Sequence, residues 1–303
     1  SYAAVAIGTS GTTGSSKEVL LTSTALISSA RASNKFINAK PGETWSLLLP
    51  LTHIAAVNVI IRAIELGTLP IDLRNHEGEY PKANYTSIVP TQLFRALNGD
   101  VRLLSHLKSA KTVLVGGAAL SQSLRNQAEL AGIKVVTTYG MTETCGGCVY
   151  DGEVLDGVAI EIRNGKIAIR GPILASSVSL DAGWYETSDL GEFKNDKLIV
   201  LGRADDVIIS GGENLSLNAV EASLSAAFVD VEFAAFSIED PQWGDSLQIA
   251  VVGTVSDEEL VARLESDLGS FAKPKGIHRL TSLPLLGIGK VDRKSLAKGV
   301  AHE

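Results

Sequence analysis

Cysteine is nearly absent from this chain, with two in 303 residues, Cys145 and Cys148. A structural zinc site needs four ligands, and no second cysteine pair exists to complete one. A redox C-x-x-C motif needs an electropositive helix start. The pair therefore reads as two small residues following a turn. Long apolar runs are missing as well. None approaches a membrane span, and no basic segment followed by an apolar one opens the chain. The expectation is a soluble, cytoplasmic protein. Positive charge is in deficit, with a net charge of −7, which speaks against non-specific nucleic-acid binding but leaves room for a local cationic pocket. Internal repeats and low-complexity tracts are absent too. What remains is an ordinary apolar content and a length sufficient for two domains and a sizeable core.

Glycine and hydroxyl residues concentrate in one stretch near the start. Thr9-Ser10-Gly11-Thr12-Thr13-Gly14-Ser15-Ser16-Lys17 follows the apolar run Ala3–Ile7. Glycines let the backbone turn so that several N–H groups point at one anion, and hydroxyls add donors without bulk. That is the chemistry of a polyphosphate loop. The P-loop of nucleotide triphosphatases needs a Gly, four residues, then Gly-Lys-Ser/Thr. Here two serines part Gly14 from Lys17, so that register fails. Taken alone, the stretch also fits a flexible surface loop.

Residues 1–140 alternate strand-length apolar runs with helical ones. Strands are expected over 3–7, 45–49, 87–89, 112–115 and 134–138, and helices over 22–36, 54–66, from Pro90, and 121–131. This alternation predicts a mostly parallel sheet covered on both faces, with ligands at the carboxyl ends of its strands. Loops after strands, including Gly116-Gly117 and Tyr139-Gly140, can then converge on one crevice with the Thr9–Lys17 stretch. From about Gly152 to Leu201, short strands over 158–163, 166–170 and 197–200 and the turn Asn164-Gly165 predict a small antiparallel β unit. After Arg203-Ala204-Asp205-Asp206 comes a compact α+β module of about 100 residues, normal for one domain. It carries helices over 217–227 and 257–268, strands over 207–209, 231–237 and 247–252, and a polar end. The fold class is thus α/β in the larger part and α+β in the smaller.

Several residues stand out chemically. Glu143, in Tyr139-Gly140-Met141-Thr142-Glu143-Thr144, is a lone acid among small polar residues after a strand. One carboxylate there suits Mg²⁺, which takes most of its other ligands from phosphate and water; an exposed turn glutamate is the plain alternative. Asp189 precedes a glycine turn, where a carboxylate can accept from vicinal ribose hydroxyls or simply form an Asx turn. Arg203 suits a ribose or phosphate contact, or a surface salt bridge. Lys290 follows a glycine-rich loop, and a lysine on its long stem can reach into a site. Arg62 lies on a helix that is apolar almost all round, so its charge must find a partner. Asn58 and Glu65 are within local reach, and an anionic ligand is the alternative to an Arg62–Glu65 pair.

Thr9–Lys17, Leu49–His53, Gly116-Gly117-Ala118, Tyr139–Thr144, Ser188-Asp189, Gly202–Glu213 and Gly289-Lys290, in that order, resemble the motifs of the adenylate-forming superfamily of acyl-CoA ligases, firefly luciferases and peptide-synthetase adenylation domains. The resemblance implies a large amino-terminal domain over 1–204 and a small mobile carboxyl-terminal domain over 205–303, hinged at Asp205. It implies a carboxylate attacking Mg·ATP to give an acyl-adenylate, then a thiol displacing AMP, with ATP and Mg²⁺ as cofactors and coenzyme A as substrate. By motif match Lys290, His53 and Thr142 are the catalytic candidates and Glu143 the metal ligand. Thr9, Ser10, Gly11, Thr12, Thr13, Gly14 and Lys17 would hold the β- and γ-phosphates. Gly116, Gly117, Ala118, Tyr139 and Gly140 would line the nucleotide, Asp189 and Arg203 would hold ribose, and Gly211 and Gly212 would approach the pantetheine arm.

Two departures stand out. Ser16 occupies the position before the loop lysine where the superfamily usually has proline. Superfamily members also carry far more chain ahead of this loop, which implies a shortened form or a piece of a longer protein, with part of the sheet missing. An amino-acid-activating domain needs an aspartate near His53, and Ile54-Ala55-Ala56-Val57-Asn58 supplies none. Within the superfamily, His53 with Arg62 nine positions on and the segment ending ADDVIISGGEN look like the o-succinylbenzoate–CoA ligases of menaquinone biosynthesis, in their short actinobacterial form. Their acid has two carboxylates, and Arg62, with Asn58, would meet the one that is not activated. Another aryl- or acyl-CoA ligase and a non-catalytic nucleotide-binding member of the fold are the alternatives. A homodimer is compatible with the sequence, and Pro284-x4-Gly289-Lys290 looks like the lysine-acetylation motif of some superfamily members.

Overall fold

In the computed structural model, residues 3–10, 16–210, 213–228, 231–240, 244–286 and 290–300 are described; of residues 3, 10, 16, 239, 240, 244, 286 and 290 this covers the backbone alone. The chain falls into two units. One comprises Ser1–Leu120, Arg125–Thr187 and Glu192–Ile199, and the other Ser121–Leu124, Ser188–Gly191 and Val200–Glu303.

The chain opens with a hairpin, β1 (Ala3–Ser10) and β2 (Ser16–Thr22), paired antiparallel with Thr9 opposite Lys17 and Ser10 opposite Ser16. The strand expected over 3–7 thus lies in this hairpin and not in the main parallel sheet, and a second strand, Ser16–Thr22, precedes the helix expected from Thr22. Along β2 the residues alternate, with Glu18 and Leu20 outward and Val19 and Leu21 fully buried. Period-two burial on one face specifies a strand, and each buried side chain contributes about 1.5–3 kcal/mol. Thr22 then caps α1 (Ser23–Phe36), its hydroxyl accepting from the Ala25 N–H at 3.1 Å, a contact worth about 1 kcal/mol.

The main sheet is built from β3 (Trp45–Leu47), β4 (Ile71–Asp72), β5 (Tyr85–Ile88), β6 (Thr112–Val115), β7 (Val135–Met141), β8 (Gly146–Tyr150) and β9 (Glu153–Val154), in the order β4-β3-β5-β6-β7-β8-β9. The first five are parallel, and β8 and β9 add an antiparallel edge. The crossovers are α2 (Ile54–Glu65), the pair α3 (Pro90–Leu97) and α4 (Val101–Ser109), and α5 (Gln122–Leu130). Pro90 opens α3 at a position where its missing N–H costs nothing. Both faces of the central strands are covered, so Tyr85–Ile88 is buried at every position. The antiparallel sheet expected next is β10 (Ala159–Arg163), β11 (Lys166–Arg170), β12 (Tyr185–Lys194) and β13 (Lys197–Arg203), in that order.

In the second unit, β14 (Val207–Ser210), β15 (Glu213–Ser216), β16 (Glu232–Asp240) and β17 (Gly244–Val252) form a sheet ordered β15-β14-β17-β16, with β18 (Gly276–Arg279) parallel beside β17. Helices α6 (Leu217–Ala227) and α7 (Asp257–Leu268) bury Leu217, Val220, Leu224, Leu260 and Leu264 against Leu247, Ile249 and Val251. The polar carboxyl-terminal stretch folds as well. It forms a short hairpin, β19 (Leu285–Leu286) with β20 (Lys290–Val291), and then α8 (Arg293–Val300), which seats Leu296 on Ala234, Phe236 and Ala250.

Candidate active site

Strands β3, β5, β6 and β7 are parallel, so their carboxyl ends lie along one sheet edge. The segments expected to bind nucleotide and acid leave from that edge. Leu49–His53 follows β3, Gly116–Ala118 follows β6, and the single 3₁₀ turn Thr142–Thr144 follows β7. Gly116 hydrogen-bonds through its N–H to the Ile88 carbonyl at 3.1 Å, and Gly117 sits at φ +87°, a region that favours glycine. Gly140 has a different reason: β7 and β8 approach so closely there that a Cβ would collide with the Gly146 carbonyl.

The Thr142–Glu143 turn is fixed from every side. The Thr144 hydroxyl accepts from the Met141 N–H at 2.9 Å and donates to the Gly146 carbonyl at 2.7 Å. Cys145 then takes a left-handed conformation at φ +51°. Its carbonyl is held by Ser29 Oγ at 2.9 Å and by Asn58 Nδ2. The Glu143 carbonyl accepts from the Ala175 N–H at 2.8 Å, Ser176 donates its N–H to Leu20 of β2 at 2.9 Å, and Leu20 donates its own N–H to Ser177 Oγ at 3.0 Å. The opening hairpin is thereby strapped to the turn that carries Glu143. Ile7, Val19 and Leu21 share a core with Leu26, Cys145 and Ala175. Burial pushes the Cys145 thiol up to about 12, so it stays protonated; both cysteines are buried and outside any disulfide, as expected of two packed small residues.

Thr142 and Glu143 themselves are half-buried, and the Glu143 carboxylate forms no ion pair with any described residue. No cluster of three His, Cys, Asp or Glu side chains exists among the described residues. A metal at Glu143 therefore has one protein carboxylate, which fits Mg²⁺ completing its shell with phosphate oxygens and water. Lys17 is exposed, and Thr9 Oγ1 donates to its carbonyl at 3.1 Å. Gly11, Thr12, Thr13 and Gly14 lie outside the described residues, as does the Ser10 side chain. Tyr139 is half-buried on β7.

His53 stands at the N-cap of α2, half-buried. Asn58 and Arg62, one turn apart, share the buried face of that helix, at 0% and 4% exposure. The Asn58 Oδ1 has no partner among the described residues. The Arg62 guanidinium donates from Nη2 to Tyr150 Oη at 2.9 Å and from Nη1 to Ser87 Oγ at 3.3 Å, and its carbon lies 5.1 Å from the Trp45 ring centre. Tyr150 Oη is in turn 2.8 Å from Ser33 Oγ, and Arg62 Nε has no partner among the described residues. No described carboxylate pairs with Arg62; the local Arg62–Glu65 pair does not form, because Glu65 binds Arg31 of α1 instead. Tyr150, Ser33, Ser87 and Ser29 were not singled out from sequence.

In the second unit, Asp189 is buried at 9% exposure on β12, and Arg203 bridges it to Asp205, at 3.6 Å to Asp189 Oδ1 and 2.6 Å to Asp205 Oδ2. The candidate ribose carboxylate and the candidate hinge residue thus share one guanidinium. Gly211 and Gly212 lie outside the described residues, and Lys290 is described in its backbone alone, paired with Leu286.

Comparison with known proteins supplies the frame for this geometry. The model of the family described as AMP-binding enzyme matches residues 3–172. A Mycobacterium tuberculosis protein named "Probable 2-succinylbenzoate--CoA ligase" is 38% identical over 331 aligned residues, covering 99% of this chain and 85% of that one. Among solved structures, an arginine-to-lysine variant of Escherichia coli MenE with bound OSB-AMS superposes with a TM-score of 0.85 at 27% identity, covering 97% of this chain and 68% of that one. The o-succinylbenzoate CoA synthetase of Bacillus subtilis, solved with the acyl-adenylate intermediate OSB-AMP, gives a TM-score of 0.81 at 28% identity, covering 96% of this chain and 68% of that one. The same enzyme is also solved with ATP and magnesium ion. A mixed sheet with its candidate residues along one edge, a lone glutamate in a fixed turn and a matching family model over more than half the sequence lead to one conclusion: the chain belongs to the AMP-binding enzyme family.

Proposed function

We propose that this chain is an ATP-dependent, AMP-forming acid–CoA ligase that converts 2-succinylbenzoate to its CoA thioester. The reading is supported by relatives named for that reaction across nearly the whole chain and by a B. subtilis relative solved with the acyl-adenylate intermediate. In the first half-reaction a carboxylate oxygen of the acid attacks the α-phosphorus of ATP, and pyrophosphate leaves. In the second, the CoA thiol attacks the acyl carbon, loses its proton and expels AMP. Both substrates of the first step are anions, so the site must supply cations and fixed donors where charge develops.

The residues divide that work. Thr142 donates to the α-phosphate from a turn held rigid by Thr144, Ser29 and Asn58. Glu143 holds Mg²⁺, which when bound neutralises phosphate charge. The stretch Thr9–Lys17 cradles the β- and γ-phosphates, and its strap through Ala175, Ser176 and Ser177 ties it to Glu143. Gly116–Ala118 and Tyr139-Gly140 line the nucleotide. His53 heads the acid pocket, and Asp189 and Arg203 hold ribose. In this reading residues 205–303 turn about Asp205, offering Lys290 to the acid and α-phosphate in the first half-reaction and Gly211-Gly212 to the pantetheine arm in the second. The work is placed in the cytoplasm, where ATP and CoA are supplied.

The observation that carries the acid is Arg62. A buried guanidinium held by hydroxyls and an aromatic ring, with no described carboxylate against it, is a cation reserved for an anion. 2-Succinylbenzoate offers one carboxylate for activation and a second, aromatic one for Arg62. A panel of acids with ATP, Mg²⁺ and CoA, read by mass spectrometry, tests this. A thioester from 2-succinylbenzoate is expected, with slower turnover of monocarboxylic aryl acids; preference for a monocarboxylic acid would overturn the substrate.

A further inference from the structure

Strand β16 is the edge of its sheet, and edge strands leave N–H and C=O groups unpaired. At Ala235 both are taken by side chains. Its N–H donates to Glu221 Oε1 at 2.9 Å, and its carbonyl accepts from Arg293 Nε at 2.8 Å. The same guanidinium donates from Nη2 to Glu221 Oε1 at 2.9 Å and to Asn218 Oδ1 at 3.0 Å, and from Nη1 to Asp206 Oδ2 at 3.1 Å. Arg293 therefore joins four segments of the second unit: α8, α6, β16 and the 3₁₀ turn Ala204–Asp206. Its side chain is 25% exposed, with Asp206 at 22% and Glu221 at 23%.

Arg293 is three residues beyond Lys290. Between them, Val291 pairs with Leu285 and packs toward Phe236, and the Asp292 N–H donates to the Pro284 carbonyl at 2.8 Å. The Asp292 carboxylate caps α8, accepting from the Ser295 N–H at 3.1 Å. The backbone from Lys290 to Arg293 is thus fixed at each residue. The far end of the lattice, Asp206, adjoins Asp205, the residue about which the unit is proposed to turn. An edge cap alone needs Ala235, Glu221 and Arg293; it does not need Asp206 or Asn218.

We propose that Arg293 is a positioning residue for Lys290, coupling the lysine-bearing segment to the hinge so that the two move as one body. The proposal rests on the role assigned to Lys290 above. Its consequence is selective. Adenylation, which uses Lys290, depends on the lattice; thioester formation, which does not, is spared.

The test measures each half-reaction in Arg293→Ala, Arg293→Lys and the milder Asp206→Asn. Adenylation is followed by pyrophosphate release with 2-succinylbenzoate and ATP, and thioester formation by mixing pre-made acyl-adenylate with CoA. Misplacing a reacting group by an ångström costs up to about 100-fold, so kcat for adenylation should fall about 10- to 100-fold in Arg293→Ala with the KM for ATP within about twofold. Thioester formation should stay within about threefold, a margin well under the effect of misplacement. Arg293→Lys and Asp206→Asn should show the same split at smaller size. Equal loss in both half-reactions would mean a structural role only, and full adenylation activity in all three variants would also overturn the proposal. If instead the unsubstituted protein forms no thioester from 2-succinylbenzoate, the proposed function fails, an outcome separate from either.

Discussion

Two arginines are held inside this molecule in opposite ways. Arg293 meets two carboxylates, an amide and a backbone carbonyl, so its charge is compensated and its donors are used. Arg62 is more deeply buried, at 4% exposure, yet among the described residues its guanidinium meets only Tyr150, Ser87 and the face of Trp45. Removing a guanidinium from water costs several kcal/mol unless an anion repays it. In the second unit the protein repays it. On α2 the repayment is left open, and an incoming carboxylate can make it. On the proposed function, the compensated cation ties segments of its own unit together and the uncompensated one awaits a ligand.

The sharpest way to break this contrast is to remove Arg62. A charge-assisted hydrogen bond is worth about 1.5–3 kcal/mol, equivalent to roughly 10- to 150-fold. Arg62→Ala should lower kcat/KM for 2-succinylbenzoate by about 100-fold on that scale. The KM for ATP should be unchanged, and so should turnover of 4-oxo-4-phenylbutanoate, which lacks the aromatic carboxylate. Equal losses on both acids would place Arg62 in the fold rather than the pocket.

The reciprocal change concerns stability. Arg293→Met leaves Asp206 and Glu221 facing each other's charge without the cation that joins them. Breaking a buried pair costs about 3–5 kcal/mol, and with these groups roughly a quarter exposed about 2–3 kcal/mol is expected from urea unfolding. Arg62→Met should instead fall within about 1 kcal/mol of the parent, because no carboxylate is orphaned. The loss at Arg293 should also depend on pH. Burial lifts the Glu221 carboxyl above its ordinary value, against the pull of Arg293. Without Arg293 the lift grows, the folded state binds the proton more tightly than the unfolded chain, and stability falls as pH rises through that range. The deficit should therefore shrink on acidification from pH 7 toward pH 5; a deficit independent of pH would remove Glu221 from the account.

How much of this could be read in advance follows from sequence separation. The helical stripe that sets Asn58 and Arg62 on one face of α2 is local, and so are the apolar runs that became β5, β6 and β7. The glycine-rich loop misled, because its hydroxyls masked the two-residue alternation from Lys17 to Thr22 that makes β2. Helix α4 and helix α8 are harder to read because each is short, nine and eight residues, and buries few side chains, Leu103, His106 and Leu107 in one and Leu296 in the other. What surrounds Arg62 was beyond reach. Tyr150 is 88 residues away, and Ser33, its hydroxyl partner, is 117 from Tyr150. A residue's type suggests what it can bind, but only the fold decides whether a carboxylate or a hydroxyl arrives first.

The finest test of the contrast is therefore on the hydroxyls. If Arg62 is reserved for a ligand, Tyr150 orients it without neutralising it. Tyr150→Phe keeps the ring against Phe36 and deletes the acceptor for Arg62 Nη2 along with the partner of Ser33 Oγ. One hydrogen bond to a charged group changes, in a protein that otherwise packs as before, so the acid affinity should weaken about 10-fold. The loss should appear in KM for 2-succinylbenzoate and leave kcat and the KM for ATP near the parent values, since the activated carboxylate lies at the other end of the acid. Ser87→Ala removes the longer contact, at 3.3 Å, and should act in the same direction with smaller size. A kcat effect in place of a KM effect would show that Tyr150 and Arg62 act on the reacting end, and the distinction between the two arginines would then need a different basis.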